Sequence, residues 1–386
     1  MNYFLRNYID LNVSAEIAIP ESMHEVKDFQ AMMHITEGVL TFNEQLISMS
    51  IALKMLLEDD LLENAIPVTA QCFLSDSANQ QESVEAIFSE ILKCSICLVK
   101  QPPLDGTKLA LWIQLQTNLV QGNDGLRFYE HNGYSQYFGV YHCNSKIQEK
   151  ESSYDQTLQL LETYEQQLRE RGCSIENDCL RTWFFVRDVD LNYQGVVDAR
   201  KENFRKNGLN ELTHYIASTG IEGSVADPRM KVLLNTFAIK GLERAQIKFL
   251  YAKTHLSATL DYGVTFERGV MVDFGDQRKV YISGTASIDN IGQVVHDGDI
   301  EKQVYRMWEN VEALLAEADC GFADVSQAVV YLRDIADYKC VSSMFNDKFK
   351  GLPYIIVLAP ICRTGWLVEM ECIALKAREN TAFRPL

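Results

Sequence analysis

The sequence predicts an α+β protein made of three tandem copies of one unit, each a mixed sheet covered by helices, closed round a pseudo-threefold axis within a single chain. Three observations predict this: a strand-and-turn phrase that recurs, a helix of matched apolar spacing ahead of each recurrence, and a second helix with a strand pair after it.

The phrase is "VVYLRDIADY" at residues 329 to 338 and "FFVRDVDLNY" at residues 184 to 193, with a fainter copy in "AQCFLSD" at residues 70 to 76. Ahead of the last copy, Ile300, Val304, Met307, Val311, Leu314 and Leu315 recur at helical spacing, so one face of that helix is buried. Asp299 after Gly298 is its expected N-cap, and the Gly-containing "DCGFAD" ends it. Phe42, Leu46, Met49, Leu53, Leu56 and Leu57 each stand 258 positions before these six. Gln156, Glu162, Glu165 and Cys173 likewise stand 147 positions before Gln303, Glu309, Glu312 and Cys320. From Gln45 to Asp76 is 31 residues, from Gln156 to Asp188 is 32, and from Gln303 to Asp334 is 31, spacing that chance similarity does not keep.

After the phrase, Tyr338, Val341, Phe345 and Phe349 mark a second helix, followed by "YIIVLAP" and "WLVEMECIAL" as strands. The first copy offers "ESVEAIFSEIL", "SICLVK" and "KLALWIQLQ" in the same order. The unit therefore reads β-β-α-β-α-β-β, with units expected over residues 1–122, 123–249 and 250–386. Helices on one face leave the other face of each sheet to be buried, and three units round an axis do this for one another. A chain that is its own trimer is expected to be a monomer or weak dimer.

Composition narrows the function classes. With 386 residues, 47% hydrophobic and 8 prolines, the chain can bury two or three cores and carries no disordered bias. It shows neither a signal peptide nor an apolar run of the roughly 20 residues that cross a bilayer, so a cytoplasmic location and no membrane partner are expected. A net charge of −17 repels phosphate backbones, which argues against a nucleic-acid partner. The ten cysteines lie scattered in apolar stretches and read as reduced core residues, Cys94 and Cys97 included, and no cofactor or metal motif is found.

The last strand carries the chemistry. Trp366, Val368, Met370, Cys372 and Ala374 fall on one face of it, and Leu367, Glu369, Glu371, Ile373 and Leu375 on the other. Two carboxylates at i and i+2 stand roughly 7 Å apart on one face, and partial burial there raises a pKa into the range of a proton carrier. The matching faces hold Trp112 and Gln114 in the first unit and Leu233 and Asn235 in the second, so one unit keeps the acids. The preceding loop "APICRTG" carries Arg363, which has no arginine counterpart in "PPLDGTK" or "ASTGIEG". A guanidinium there can hold a substrate carboxylate in a two-pronged pair, or form an internal salt bridge with Glu369 or Glu371. His296, beside Asp297 and Asp299, fits a hairpin leading into a capped helix better than a metal site, and His214 precedes a Thr- and Gly-containing loop in "ELTHYIASTG" that reads as a pocket lining or, equally well, follows a satisfied structural histidine.

The run "VYISGTASIDNIGQVVHDGDIEKQVYRMWENVEALLAEA", with "VVYLRDIADY" and "APICRTGWLVEMECIA", resembles the Rid family, also called YjgF or L-PSP-type proteins and often labelled translation initiation inhibitors or endoribonucleases. The resemblance covers about residues 253 to 379, while the first two units share only the skeleton. It implies a chorismate-mutase-type α+β unit, trimers with sites between subunits, and an enamine or imine deaminase on a carboxylate-bearing substrate. By the same resemblance Arg363 grips the carboxylate, Glu369 positions or activates water as general acid and base, and Tyr262, Ser283 and Gly284 match family motifs at the substrate; Glu371 beside Glu369, with Thr285 and Cys362 beside those motifs, completes the expected site. The loop between Cys362 and Glu369 is shorter than in small family members, and "ICRTGWLVEME" with "SGTASI" and "HDGD" resembles the chorismatases, which remove the enolpyruvyl group of chorismate. A non-catalytic binder of small carboxylates is the third reading.

Overall fold

A computed structural model describes residues 1–21, 25–123, 126–143 and 150–386, apart from the side chains of Asp261 and Tyr262. It holds three six-stranded sheets in succession. The first is β1 (Asn2–Tyr8), β2 (Val13–Ile19), β3 (Asp28–Ile35), β4 (Ile66–Leu74), β5 (Ser95–Lys100) and β6 (Leu109–Gln116), with helices α1 (Phe42–Leu57) and α2 (Ser77–Leu92). The second is β7 (Val120–Asn123), β8 (Arg127–His131), β9 (Tyr134–His142), β10 (Cys179–Val186), β11 (Ala217–Glu222) and β12 (Val232–Lys240). Its helices are α3 (Ser153–Glu170), the single turn α4 (Ile175–Asp178) and α5 (Val189–Lys206). The third is β13 (Ile247–Leu250), β14 (Gly269–Asp273), β15 (Gln277–Ala286), β16 (Val325–Leu332), β17 (Tyr354–Leu358) and β18 (Val368–Ala377), with α6 (Ile300–Glu317) and α7 (Tyr338–Lys348).

Each unit carries one strand more than the sequence pattern predicts, three rather than two ahead of its first helix. Strand orders are β1-β2-β3-β6-β4-β5, β11-β10-β12-β9-β8-β7 and β13-β14-β15-β18-β16-β17, the second being the same order read from its other edge. In every sheet the one parallel pair is the edge strand with its neighbour, β4 with β5, β10 with β11 and β16 with β17. Strands β7 and β13 begin a few residues ahead of residues 122 and 250, where the sequence suggests the units hand over.

The apolar stripes do what their spacing predicts. Leu46, Met49, Leu53 and Leu56 of α1, and Val304, Met307, Val311, Leu314 and Leu315 of α6, are buried against their sheets. Asp299 caps α6 by accepting from the Lys302 amide. The recurring glutamine has a structural reason. Gln45, Gln156 and Gln303, each fully buried, reach from the first helix to the backbone just before the last strand, accepting from the amides of Lys108, Lys231 and Leu367 at 2.8, 2.7 and 2.9 Å. An amide side chain buried in this way fastens helix to strand in every copy.

The units close into a ring. The amide of Lys100 in the first donates to Ser224 of the second, Glu222 of the second to Pro360 of the third, and Leu358 of the third back to Pro102 of the first, at 2.7, 3.2 and 2.8 Å. Inside the ring the sheets bury polar groups with partners. Lys279 of β15 pairs with Asp28 of β3 at 2.6 Å, both at most 1% exposed, while Gln30, Gln114 and Gln116 also donate to Asp28. The chain is an intrachain pseudo-trimer of three tandem units. No helix among the described residues is long and apolar enough to cross a membrane.

Candidate functional site

The strand "WLVEMECIAL" turns its carboxylates to the inside of the ring, but the two acids meet different surroundings. Glu369 faces a cavity of about 260 Å³ between the second and third units. Its carboxyl group has no hydrogen-bond or ion-pair partner among the described residues, and at 5% exposure it is held largely out of water. Burial first, and the Glu371 charge second, push its pKa up to about 8, against the lowering pull of Arg268 and Arg181. At neutral pH this acid carries its proton.

Glu371 lies one pleat further along and is fully engaged. Arg181 of β10 donates to Oε2 at 2.8 Å, Trp183 Nε1 to Oε1 at 2.9 Å, and the Thr219 hydroxyl also bonds Oε2. The salt bridge weighed for Arg363 is thus made to Glu371 by Arg181, a residue of the second unit. Thr219 extends the network, accepting from Arg181 Nη2 at 2.5 Å and from the Gly284 amide at 2.8 Å.

A bulge in the pairing of β15 with β18, between Ile282 and Thr285, sets Gly284 against Glu369. A Cβ built on Gly284 would stand 2.2 Å from Glu369 Oε1, so the absent side chain is what leaves room for the carboxyl group. Ser283 is an interface stitch: its hydroxyl donates to Glu267 O at 2.7 Å and accepts from the Ser218 amide at 2.9 Å. Thr285 bonds back to Ser283 O at 2.8 Å. Neither Ser283 nor Thr285 lines the cavity. Tyr262 ends a short turn, and its side chain lies outside what is described.

Arg363 and Cys362 do line the cavity. Arg363 Nη1 donates to Gly292 O at 3.2 Å and the guanidinium lies over the Trp366 ring, 5.0 Å from its centroid, which holds it in place at the mouth. The Cys362 thiol is pushed up to about 12, chiefly by desolvation, so it stays protonated. His214 stacks on Phe249 at 4.5 Å and contacts Tyr215 O, and it lines a second cavity beside Tyr215 and Glu267.

The second unit supplies a wall of the cavity, of which the sequence pointed only to the Thr- and Gly-containing stretch after His214 and not to α5. "ASTGIE" is strand β11 rather than a loop, and Ser218, Thr219 and Gly220 from it face the cavity together with Tyr193, Val197 and Arg200 of α5. Arg200 did leave a signal: it stands three and four residues after Val197 and Val196 and four before Phe204, on the apolar stripe of its helix. The pairing also corrects the repeat alignment. Tyr331, Phe73 and Phe185, each three residues before the repeat aspartate, pair with Glu369, Ala110 and Leu233. The first unit's counterparts of Glu369 and Glu371 are therefore Ala110 and Trp112, two residues earlier than Trp112 and Gln114. A slip of two keeps the same face, so alternation alone does not reveal it.

Residues 270–376 match the family described as Endoribonuclease L-PSP. A RutC family protein of Pyrococcus abyssi is 33% identical over 100 residues, 25% of this chain and 78% of the relative. The 2-iminobutanoate/2-iminopropanoate deaminase of Capra hircus is 31% identical over 123 residues, 30% of this chain and 84% of the relative. Among solved structures a chorismatase superposes with a TM-score of 0.64 at 19% identity, covering 82% of this chain and 95% of its own, which shows a shared fold. Identity at that level across most of a relative's length, together with the family match over residues 270–376, makes this chain a member of the Rid (YjgF, L-PSP) family.

Proposed function

We propose that the chain is a hydrolase of the imine and enamine deaminase type, acting on a small carboxylate-bearing substrate in the cavity between its second and third units. The observation that carries the reading is Glu369, a protonated and unpartnered carboxyl group facing a cavity rimmed by Arg363. The deaminase relatives, similar across this unit, support the reaction class.

The chemistry follows from the two groups. Arg363 holds the substrate carboxylate by charge-assisted hydrogen bonds and so fixes the C=N carbon in the cavity. Glu369 gives its proton to the imine nitrogen, which makes the carbon electrophilic. Water adds to that carbon, and the Glu369 carboxylate takes the proton released. The same carboxyl group then protonates the amine of the carbinolamine; as the C–N bond breaks and ammonia leaves, the C=O of the keto acid forms and the hydroxyl proton passes to the Glu369 carboxylate, which restores the protonated acid. An acid of ordinary pKa would be ionised at pH 7 and could not begin the cycle.

The test is product analysis combined with a pH profile. Supplied with imines generated from 2-amino acids, the enzyme is expected to release ammonia and keto acid. Because the protonated acid is the working form, kcat/KM should be high below pH 8 and fall about tenfold per unit above it. Chorismate is assayed in parallel: pyruvate with a hydroxybenzoate or dihydrodiol would replace the imine reading by enolpyruvyl cleavage. Turnover of neither, with Arg363-dependent binding of a small carboxylate, would make the chain a binder.

The ring already buries between its own units what separate chains bury in a trimer, so a monomer or weak dimer is expected. Light scattering that gives a stable trimer of 44.0 kDa chains would overturn this.

A further inference from the structure

Arg200 is 1% exposed, inside the wall that the second unit contributes to the cavity. Its Nη1 reaches Ser218 Oγ only at 3.5 Å, and Nε and Nη2 are buried with no hydrogen-bond partner among the described residues. The rings of Phe184 and Phe266 stand 5.6 and 5.8 Å from the guanidinium carbon. Arg181 and Lys279, buried as deeply, are matched: Arg181 meets Glu371 and Lys279 meets Asp28, at 2.8 and 2.6 Å. An arginine does not escape the cost of burial by losing its proton, so an unmatched one is held at a standing penalty. Arg200 lines the cavity, and a planar fork whose Nε and Nη2 are buried without a partner suits a carboxylate or similar anion that enters there.

Arg363 at the mouth and Arg200 in the wall come from different units and line the same cavity. We propose that Arg200 anchors a second anionic group, so that the site takes a small substrate with two acidic groups, one on Arg363 and one on Arg200. This deepens, and rests on, the reading of the cavity as a carboxylate-binding hydrolase site. The class it names is imines or enamines that carry a further carboxylate, as against those of simple aliphatic amino acids. The second unit, degenerate at its own Glu369 position, is thereby a specificity element of its neighbour.

The test uses the full-length chain and measures binding without turnover, by calorimetry with glutarate and isophthalate against butyrate and benzoate. The wild type is expected to bind at least one dianion ten times or more tightly than its monoanion partner. Arg200→Met should abolish that preference and leave monoanion binding within about twofold. Because it removes an unmatched buried charge, Arg200→Met should also melt at a higher temperature than the wild type. Equal affinity for mono- and dianions, or a preference that survives Arg200→Met, would overturn the proposal. So would a lower melting temperature in the absence of any dianion preference, the signature of a guanidinium that only props Phe184 and Phe266. Arg200→Gln, which keeps hydrogen bonds and removes the charge, gives the same readout if the methionine variant does not fold. If no imine is hydrolysed, the hydrolase reading fails, while the dianion preference and its dependence on Arg200 remain measurable.

Discussion

Glu369→Gln is expected to lower turnover by roughly 10²- to 10⁴-fold while the substrate still binds, because the amide keeps shape and hydrogen bonding but has no proton to deliver. Arg363→Ala should show the converse, a loss in affinity worth roughly 2–5 kcal/mol, as expected when one partner of a desolvated charge pair is removed. Steady-state kinetics on both variants separates the two roles, and wild-type behaviour in both would show that the cavity is not the reaction site. The glutamine variant also has a stability signature. The folded-state pKa of about 8 lies above the ordinary carboxylate value, so protonated Glu369 contributes stability that is present at low pH and lost as pH rises through 8. Melting curves taken across that window should therefore fall with pH in the wild type and fall less in Glu369→Gln, leaving the variant the more stable above pH 8.

Arg181→Met is expected to cost about 3–5 kcal/mol of folding stability, since it strands the Glu371 charge inside the ring. The cost is large because the pair joins two units: Arg181 sits on β10, Glu371 on β18, and Thr219 on β11 completes the triangle. Chemical denaturation provides the measurement. A loss below about 1 kcal/mol, the range of surface ion pairs, would show that the network is solvated. The double variant Arg181→Met with Glu371→Leu should recover much of the loss, because it removes both buried charges together.

What could be read in the sequence is what repeats along it. Apolar spacing located α1 and α6 and their buried faces, the conserved distance between repeat glutamine and repeat aspartate revealed three units, and alternation along β18 placed Glu369 and Glu371 on one face. These are local regularities, imposed by a helical period of 3.6 and a strand period of 2. The extra strand in each unit escaped because short runs carry little periodic signal, the two-residue slip in the alignment of β6 because it keeps the same face, and the strand identity of "ASTGIE" because its Ser, Thr and Gly read as a loop.

The sequence by itself determined the three-unit plan, the identity of the unit that keeps the acids, and the residue types on which the proposed proton transfer and carboxylate capture rest. Tertiary structure alone decided the surroundings of each carboxyl group. Glu369 and Glu371 are chemically identical and two residues apart, yet one faces a cavity and keeps its proton while the other is bound by Arg181, Trp183 and Thr219. That difference is made by residues 152 to 190 positions away in the chain, and so is the placing of Arg200. Closure of the ring brings them together, and contacts at such separation leave no period in the sequence from which they could be read.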